Sequence, residues 1–288
     1  MTRDEFRFLE RLRVRWAEID AQKIVFNGHY LMYFDTAIAG YWRAMAMPYA
    51  ESMALLDGDL YVRKATLEYE SSAVYDDVLH IGIRCARIGN SSVLFNAGAF
   101  RRDRLLVSGE LVYVFADPAS QTSRPVPQAL RDTLNAFEGG QDMLAIKLGS
   151  WDHLRKDAQP LRHAVFVAEQ AIPAELEQDE ADRGATHAVV YNRLGMPLAT
   201  GRWVQHAAGV AKIGRMAVVP ALRSTGIGTR LLDALIQSAG HAGNARVMLH
   251  AQSSAIEFYR RAGFAGQGDP FVEAGIAHLE MLRSTTAV

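Results

Sequence analysis

The stretch Arg223-Ser224-Thr225-Gly226-Ile227-Gly228 follows an apolar run, Ile213-Gly214-Arg215-Met216-Ala217-Val218-Val219. It precedes Thr229-Arg230-Leu231-Leu232-Asp233-Ala234-Leu235-Ile236. The first run reads as a strand and the last as a helix. Glycines at 226 and 228 let successive backbone N–H groups turn toward one point where the helix begins. Such a concave site suits a phosphate. A Gly-x-Gly by itself is explained equally by a tight strand-to-helix turn, so the flanking sequence decides. Further along comes Ala255-Ile256-Glu257-Phe258-Tyr259-Arg260-Arg261-Ala262-Gly263-Phe264.

The two segments together resemble the acyl-CoA signature of the GCN5-related N-acetyltransferases (GNAT). The family pattern Arg/Gln-x-x-Gly-x-Gly/Ala is met by Arg223, Gly226 and Gly228. The family's second segment is matched by Ala255, Phe258, Tyr259, Gly263 and Phe264, with Gln252 where Asn is usual. Gln can donate the same amide hydrogen bond with a longer reach. Val165 to Gln170, Glu177, Asp179, Asp182, His187, Ala251-Gln252 and the tail Glu273 to Met281 are similar to the ElaA-like branch. The resemblance spans residues 145–282.

It implies transfer of an acyl group, usually acetyl, from coenzyme A to an amine, with no covalent enzyme intermediate. Met216, Ala217 and Val218 would pair with the pantetheine arm. Arg223, Ser224, Thr225, Gly226, Ile227, Gly228 and Thr229 would hold the pyrophosphate. Gln252 and Ala255 complete the cofactor set, and Tyr259 takes the thiolate position; the alternative for Tyr259 is a core aromatic. Candidates for the general base are Glu169, Glu177, Asp179, Asp182, His187 and His278. The acidic run from 175 to 182 also reads as a solvated surface.

Working outward, 288 residues suit two domains. Apolar residues at 49% and charged residues at 22% support two ordinary cores. With a net charge of −1 and neither half strongly basic, a nucleic-acid partner is not expected. The single Cys85 excludes an intrachain disulfide and fits a reducing, cytoplasmic setting. The first residues do not read as a signal peptide, and no apolar run is long enough to span a bilayer. The histidines show no spacing that demands a metal. Glu138-Gly139-Gly140-Gln141-Asp142 is the best linker. The division expected is therefore 1–138, a linker at 139–143, and 144–288.

In the first half Leu12 to Trp16 reads as a strand. Tyr30 to Met45 has helical spacing, with Leu31, Phe34, Ile38, Tyr41 and Trp42 on one stripe. Strand-like segments follow at 61–69, 78–88, 92–101 and 105–115, with Gly89-Asn90 a hairpin signal. A long helix laid on antiparallel strands is an α+β arrangement. Residues 13–30 resemble the hot-dog-fold acyl-CoA thioesterases, nearest the YbgC-like and 4-hydroxybenzoyl-CoA thioesterase branch. Arg13, Val14, Trp16, Asp20, Val25 and Tyr30 fit that pattern. Lys23 replaces its glycine, and Glu18 takes the first acidic place.

A thioester carbonyl needs an oxyanion donor and a nucleophile or activated water. A helix N-terminus offers free N–H groups, and Asp20 lies just before one. A lone Asp there is ordinarily a turn or capping residue. The resemblance makes Asp20 the nucleophile or general base and the backbone near Asn27 the oxyanion donor. It also implies a homodimer or homotetramer through the hot-dog domain. Two α+β domains that both handle acyl-CoA are therefore expected, the first hydrolysing a thioester and the second acylating an amine. The rival reading is an acyl-CoA-binding or oligomerising sensor domain without hydrolysis, fused to a protein-modifying or inactive acetyltransferase.

Overall fold

The computed structural model describes residues 1–177 and 179–285. The chain forms two compact units, Met1–Met143 and Leu144–Val288.

Unit one contains, in chain order, β1 (Phe8–Arg13), α1 (Asn27–Ala44), α2 (Tyr49–Leu55), β2 (Asp59–Tyr69), β3 (Val78–Ile88), β4 (Ser92–Arg101), β5 (Arg104–Ala116) and α3 (Gln128–Glu138). Its strands make one antiparallel sheet in the order β1-β3-β4-β5-β2. Helix α1 lies across β3, β1 and β4. Gly40 allows the approach to β1, since a Cβ there would meet Glu10 Oε2 at 2.3 Å and the Phe8 ring at 2.7 Å. The buried stripe of α1 begins at Tyr30, not Leu31, which is 41% exposed. Tyr30 wins that place because its hydroxyl, inside the core, accepts the Ala73 N–H at 2.9 Å. The first strand lies earlier than expected, and Trp16 opens a 3₁₀ turn instead. This is the hot-dog arrangement, a long helix wrapped by an antiparallel sheet.

Unit two contains β6 (Leu144–Gly149), α4 (Trp151–Arg162), α5 (Ala174–Glu177), β7 (Thr186–Asn192), β8 (Pro197–Ala207), β9 (Val210–Val218), α6 (Ile227–His241), β10 (Arg246–Gln252), α7 (Ile256–Arg261), β11 (Ala265–Glu273) and β12 (Ile276–Ser284). The seven-stranded sheet runs β11-β12-β10-β9-β8-β7-β6. All its pairs are antiparallel except β9 with β10. Helices α4 and α6 both pack on β7, β8 and β9. A π-helical segment, His163–Glu169, continues α4 and packs Val165 and Phe166 against Ala217.

Beneath α4 lies a buried ionic lattice. Arg162, 1% exposed, donates from Nε to the Glu177 carboxylate, from Nη1 to Asp182 at 2.7 Å, and from Nη2 to the Glu177 carbonyl at 2.6 Å. Its guanidinium also sits 5.1 Å from the Trp151 ring centroid. Arg202 donates to both Asp182 and Asp179. The acidic run is only partly a solvated face: Glu175, Asp179 and Glu180 are exposed, whereas Glu177 and Asp182 are each 3% exposed. Burial alone would raise the Asp182 carboxyl, but Arg162 and Arg202 outweigh it and hold it below its ordinary value of 3.8. Hydrogen bonds from Arg202 do the same for Asp179.

Both carboxyls titrate lower folded than unfolded. Their stabilisation is complete above the ordinary carboxylate range and is lost as pH falls below it, through the folded values. Asp182→Asn should leave two buried guanidiniums short of charge and cost about 3–5 kcal/mol. Thermal melts at pH 7 and pH 3.5 check this: the substitution should lower the midpoint at pH 7, and the gap to wild type should narrow in acid.

Candidate functional site

In unit two the parallel pairing of β9 with β10 covers only Val210 to Lys212 against Arg246 to Met248. Beyond it, β9 continues to pair with β8 and β10 with β12, so the two strands separate. A register shift against β8, between Thr200 and Arg202, marks a bulge at this point. Arg215 there adopts the left-handed conformation, φ 53°. The gap is a cavity of about 660 Å³. Its walls include Phe166, Gln170, Arg202, Lys212, Arg215, Met216, His250, Gln252, Ala255, Tyr259, Glu273 and His278.

Strand β9 leads into the glycine segment. Gly226 caps α6 with φ 88°, a conformation that a Cβ disfavours. Ser224 is also left-handed, φ 65°. Among the described residues the backbone N–H groups of Ser224, Thr225, Gly226, Ile227, Gly228 and Thr229 have no protein acceptor. They form the positive end of a helix macrodipole. The Arg223 side chain is not free: it donates both Nη groups to Glu169 at 2.7 and 2.6 Å, and Nε to the Val218 carbonyl at 3.3 Å. It braces the loop, and it accounts for Glu169, one of the candidate bases.

Tyr259 projects into the cavity from α7. Its hydroxyl donates to Met216 Sδ at 3.7 Å, and burial pushes its pKa up to about 12. It therefore carries its proton at neutral pH, ready to donate. Gln252 donates to Gln170 Oε1 at 3.0 Å, tying the end of β10 to the π-helical side of the cavity. Of the other candidate bases, Glu177, Asp179 and His278 line the cavity. Glu177 and Asp182 are held by the arginine lattice. His187 is buried against Trp151, its Nε2 donating to the Asp182 carbonyl at 2.9 Å, and burial lowers its pKa.

One cavity residue, His250, belongs to no sequence motif. It lies on β10 just past the last β9 pairing, with Nδ1 2.9 Å from Glu273 Oε2. The period of a strand places it on the same face as Gln252, and that was the available signal.

In unit one, residues 16–26 fold back onto themselves. The Asp20 N–H donates to the Ile24 carbonyl at 2.9 Å, Lys23 N–H to Asp20 O at 3.0 Å, and Phe26 N–H to Glu18 O at 2.9 Å. These bonds place Glu18 opposite Phe26 and Asp20 opposite Ile24, in the turn that leads into α1, whose first residue is Asn27. Asp20 Oδ1 accepts the Gln22 N–H at 2.8 Å. Among the described residues, the N–H groups of Asn27 and Gly28 have no protein acceptor. The Asn27 carbonyl accepts the Tyr69 hydroxyl at 3.1 Å.

Glu18 is the buried anchor of this loop. It accepts from the Tyr33 hydroxyl at 2.6 Å, and from the Arg15 N–H and Nε at 2.7 Å each. Burial would raise its carboxyl; these bonds outweigh that and lower it. Lys23 has φ 63°, so the loop keeps a backbone shape that glycine accommodates freely. The cleft of about 790 Å³ in this unit is lined by Arg11, His80, Asp77 and Arg101–Arg104, among others, and by neither Asp20 nor Asn27. Around the Asp20 loop, Trp16, Phe26 and Tyr69 are exposed.

Residues 153–284 match the family profile described as acetyltransferase (GNAT) domain, and residues 22–108 match the thioesterase superfamily. An uncharacterized N-acetyltransferase of Bacillus subtilis, YjcF, is 38% identical over 129 residues, 44% of this chain and 91% of that protein. A putative acetyltransferase of the same organism is 31% identical over 126 residues, 43% of this chain and 84% of that protein. Among solved structures, a putative N-acetyltransferase from Lactobacillus plantarum is 29% identical with a TM-score of 0.47, covering 50% of this chain and 100% of its own. A thioesterase complexed with coenzyme A and Zn from Thermus thermophilus is 22% identical with a TM-score of 0.42, covering 47% and 97%. Among the described residues no group of His, Cys, Asp and Glu is arranged to hold a metal ion, and no helix is long and apolar enough to cross a membrane.

The left-handed backbone at Lys23 carries a direct expectation. Lys23→Gly should preserve thermal stability to within about 1 kcal/mol, whereas Lys23→Val, β-branched at positive φ, should destabilise by more than that. Melting curves of the two variants decide it.

Proposed function

We propose that this chain, which belongs through its second half to the GNAT acetyltransferases and through its first to the thioesterase superfamily, is a bifunctional enzyme acting on acyl-CoA. The observation that carries the reading is the opening between β9 and β10, with unpaired amides at the adjoining start of α6. In this reading the pyrophosphate of coenzyme A takes the N–H groups of residues 224–229. The pantetheine arm runs along Met216, Ala217 and Val218 as an added strand, with Gln252 and Ala255 on the opposite wall. The thioester then lies beside Tyr259. Holding thioester and amine together removes much of the entropic barrier. The Tyr259 hydroxyl supplies the proton for the departing thiolate.

In unit one, Asp20 attacks the thioester or activates water, and the free N–H groups at Asn27 and Gly28 receive the developing oxyanion. The exposed edge of β2 and the apolar residues around the Asp20 loop suit pairing with a second copy. The working form proposed is a homodimer or homotetramer built on unit one, in a cytoplasmic setting. Light scattering tests this, with a monomer as the contradicting result.

Two further measurements test the chemistry. Thiol release from a panel of acyl-CoAs without amine should fall about 100-fold or more in Asp20→Asn and stay unchanged in Tyr259→Phe. Thr229→Glu puts a carboxylate on the first turn of α6, where it suits the helix dipole but repels a pyrophosphate. Calorimetry should show about 10-fold weaker binding of coenzyme A to unit two at an unchanged melting temperature.

A further inference from the structure

The acceptor end of the unit-two cavity holds one polar cluster that the acyl-CoA reading does not use. His250 is held by Glu273 from β11, with Nδ1 to Oε2 at 2.9 Å. A carboxylate only accepts, so in the neutral ring Nδ1 carries the hydrogen and Nε2 is the basic position, its lone pair approached by the Lys212 ammonium at 3.4 Å. Phe271 meets the imidazole edge-on at 4.8 Å between centroids and fixes its plane. Glu280 of β12 has Oε2 3.9 Å from Nε2. From β9, the Lys212 Nζ stands 3.3 and 3.4 Å from the two ring nitrogens. His278 of β12 stacks on the far ring, Phe271, and spends its own Nδ1 hydrogen on the Ile276 carbonyl at 2.8 Å.

Four of the six other candidate bases are held in ion pairs. Glu169 is clamped by Arg223, Glu177 and Asp182 are neutralised by Arg162 and Arg202, and Asp179 is held by Arg202 and Arg215. His250 is thus a cavity-lining imidazole oriented by a carboxylate, on the strand that parts from the proposed acyl-CoA strand.

We propose that His250, positioned by Glu273, is the general base that deprotonates the acceptor, and that the acceptor is a primary ammonium drawn to the side of Nε2 facing Glu280. This rests on the acyl-transfer reading above. The ammonium gives one proton to His250 Nε2, and the imidazolium formed is paired with Glu273. The neutral nitrogen attacks the thioester carbonyl carbon. As the C–N bond forms and the C–S bond breaks, the sulfur takes the Tyr259 proton. The nitrogen's second proton returns to the tyrosinate, and His250 releases one proton to solvent. Ammonium and acyl-CoA thus become amide, thiol and one proton. Lys212 opposes the charge that forms on His250, while Glu273 and Glu280 favour it.

The test is acetyl-CoA turnover by the full chain on a panel of primary amines (ethylamine, ethanolamine, 1,4-diaminobutane, glycinamide and a lysine-containing peptide), followed across pH with the best acceptor. Wild type should show a limb of kcat/KM that rises with pH. His250→Asn should lower kcat/KM about 100-fold, lose that limb, keep the affinity for coenzyme A, and be partly rescued by added imidazole. Glu273→Gln, which keeps the shape, should lower kcat about 10-fold without changing the affinity for coenzyme A. A His250→Asn enzyme that binds coenzyme A and retains turnover with an unchanged pH limb would overturn the base assignment alone. A wild type that transfers to none of these amines would overturn the acyl-transfer reading and this assignment with it.

Discussion

A helix must begin with backbone N–H groups that its own turns cannot satisfy. In both units of this chain such a start stands beside the groups proposed to do chemistry, with its amides left without protein acceptors. At α1 these are Asn27 and Gly28, just after the turn that carries Asp20; at α6 they are residues 224–229, on the segment that follows β9. Neither α1 nor α6 has a capping side chain, a feature they share with α2, α3, α4 and α7. In the proposed reading two different folds use the same device, a set of unspent donors that holds negative charge: a thioester oxygen at α1 and a pyrophosphate at α6.

Keeping those donors open places demands on the surroundings. In unit two the sheet must part without collapsing. The arginine–carboxylate lattice ties Arg162, Arg202 and Arg215 to Glu177, Asp179 and Asp182, and four of these residues, Arg202, Arg215, Glu177 and Asp179, form part of the cavity wall. A buried lattice of this kind is a weak source of stability but a strong determinant of geometry, because removing any member leaves an uncompensated charge. In unit one the corresponding brace is Glu18, whose bonds to Tyr33 and Arg15 hold the loop carrying Asp20. The left-handed Lys23 and the Phe26 to Glu18 bond complete that turn.

Much of this was legible from residues alone, because local patterns carried it. Gly226 was identified as a turn glycine, and its φ of 88° is the reason no other residue sits there comfortably. The strands at 78–88 and 92–101 follow from alternation and turn signals. What failed to show was tertiary. Glu177 and Asp182 read as solvated surface along with their acidic neighbours because nothing in the local composition reveals that Arg162 and Arg202, distant in sequence, close over these two. Leu31 reads as core because the stripe is ambiguous by one residue until the Tyr30 hydroxyl finds the Ala73 amide. Lys23 reads as a departure from a glycine position, yet the backbone there is the one a glycine would take. His250 carried no motif of its own, and its partner Glu273 lies across the sheet on β11, a pairing that only topology creates.

The central claim is that one chain carries two independent acyl-CoA sites. The most direct measurement is calorimetric titration of the full chain with a non-hydrolysable acyl-CoA thioether. Two molecules bound per chain, with one site weakened by a substitution at the start of α6 and the other untouched, is the predicted result. A stoichiometry of one or none per chain would contradict the account.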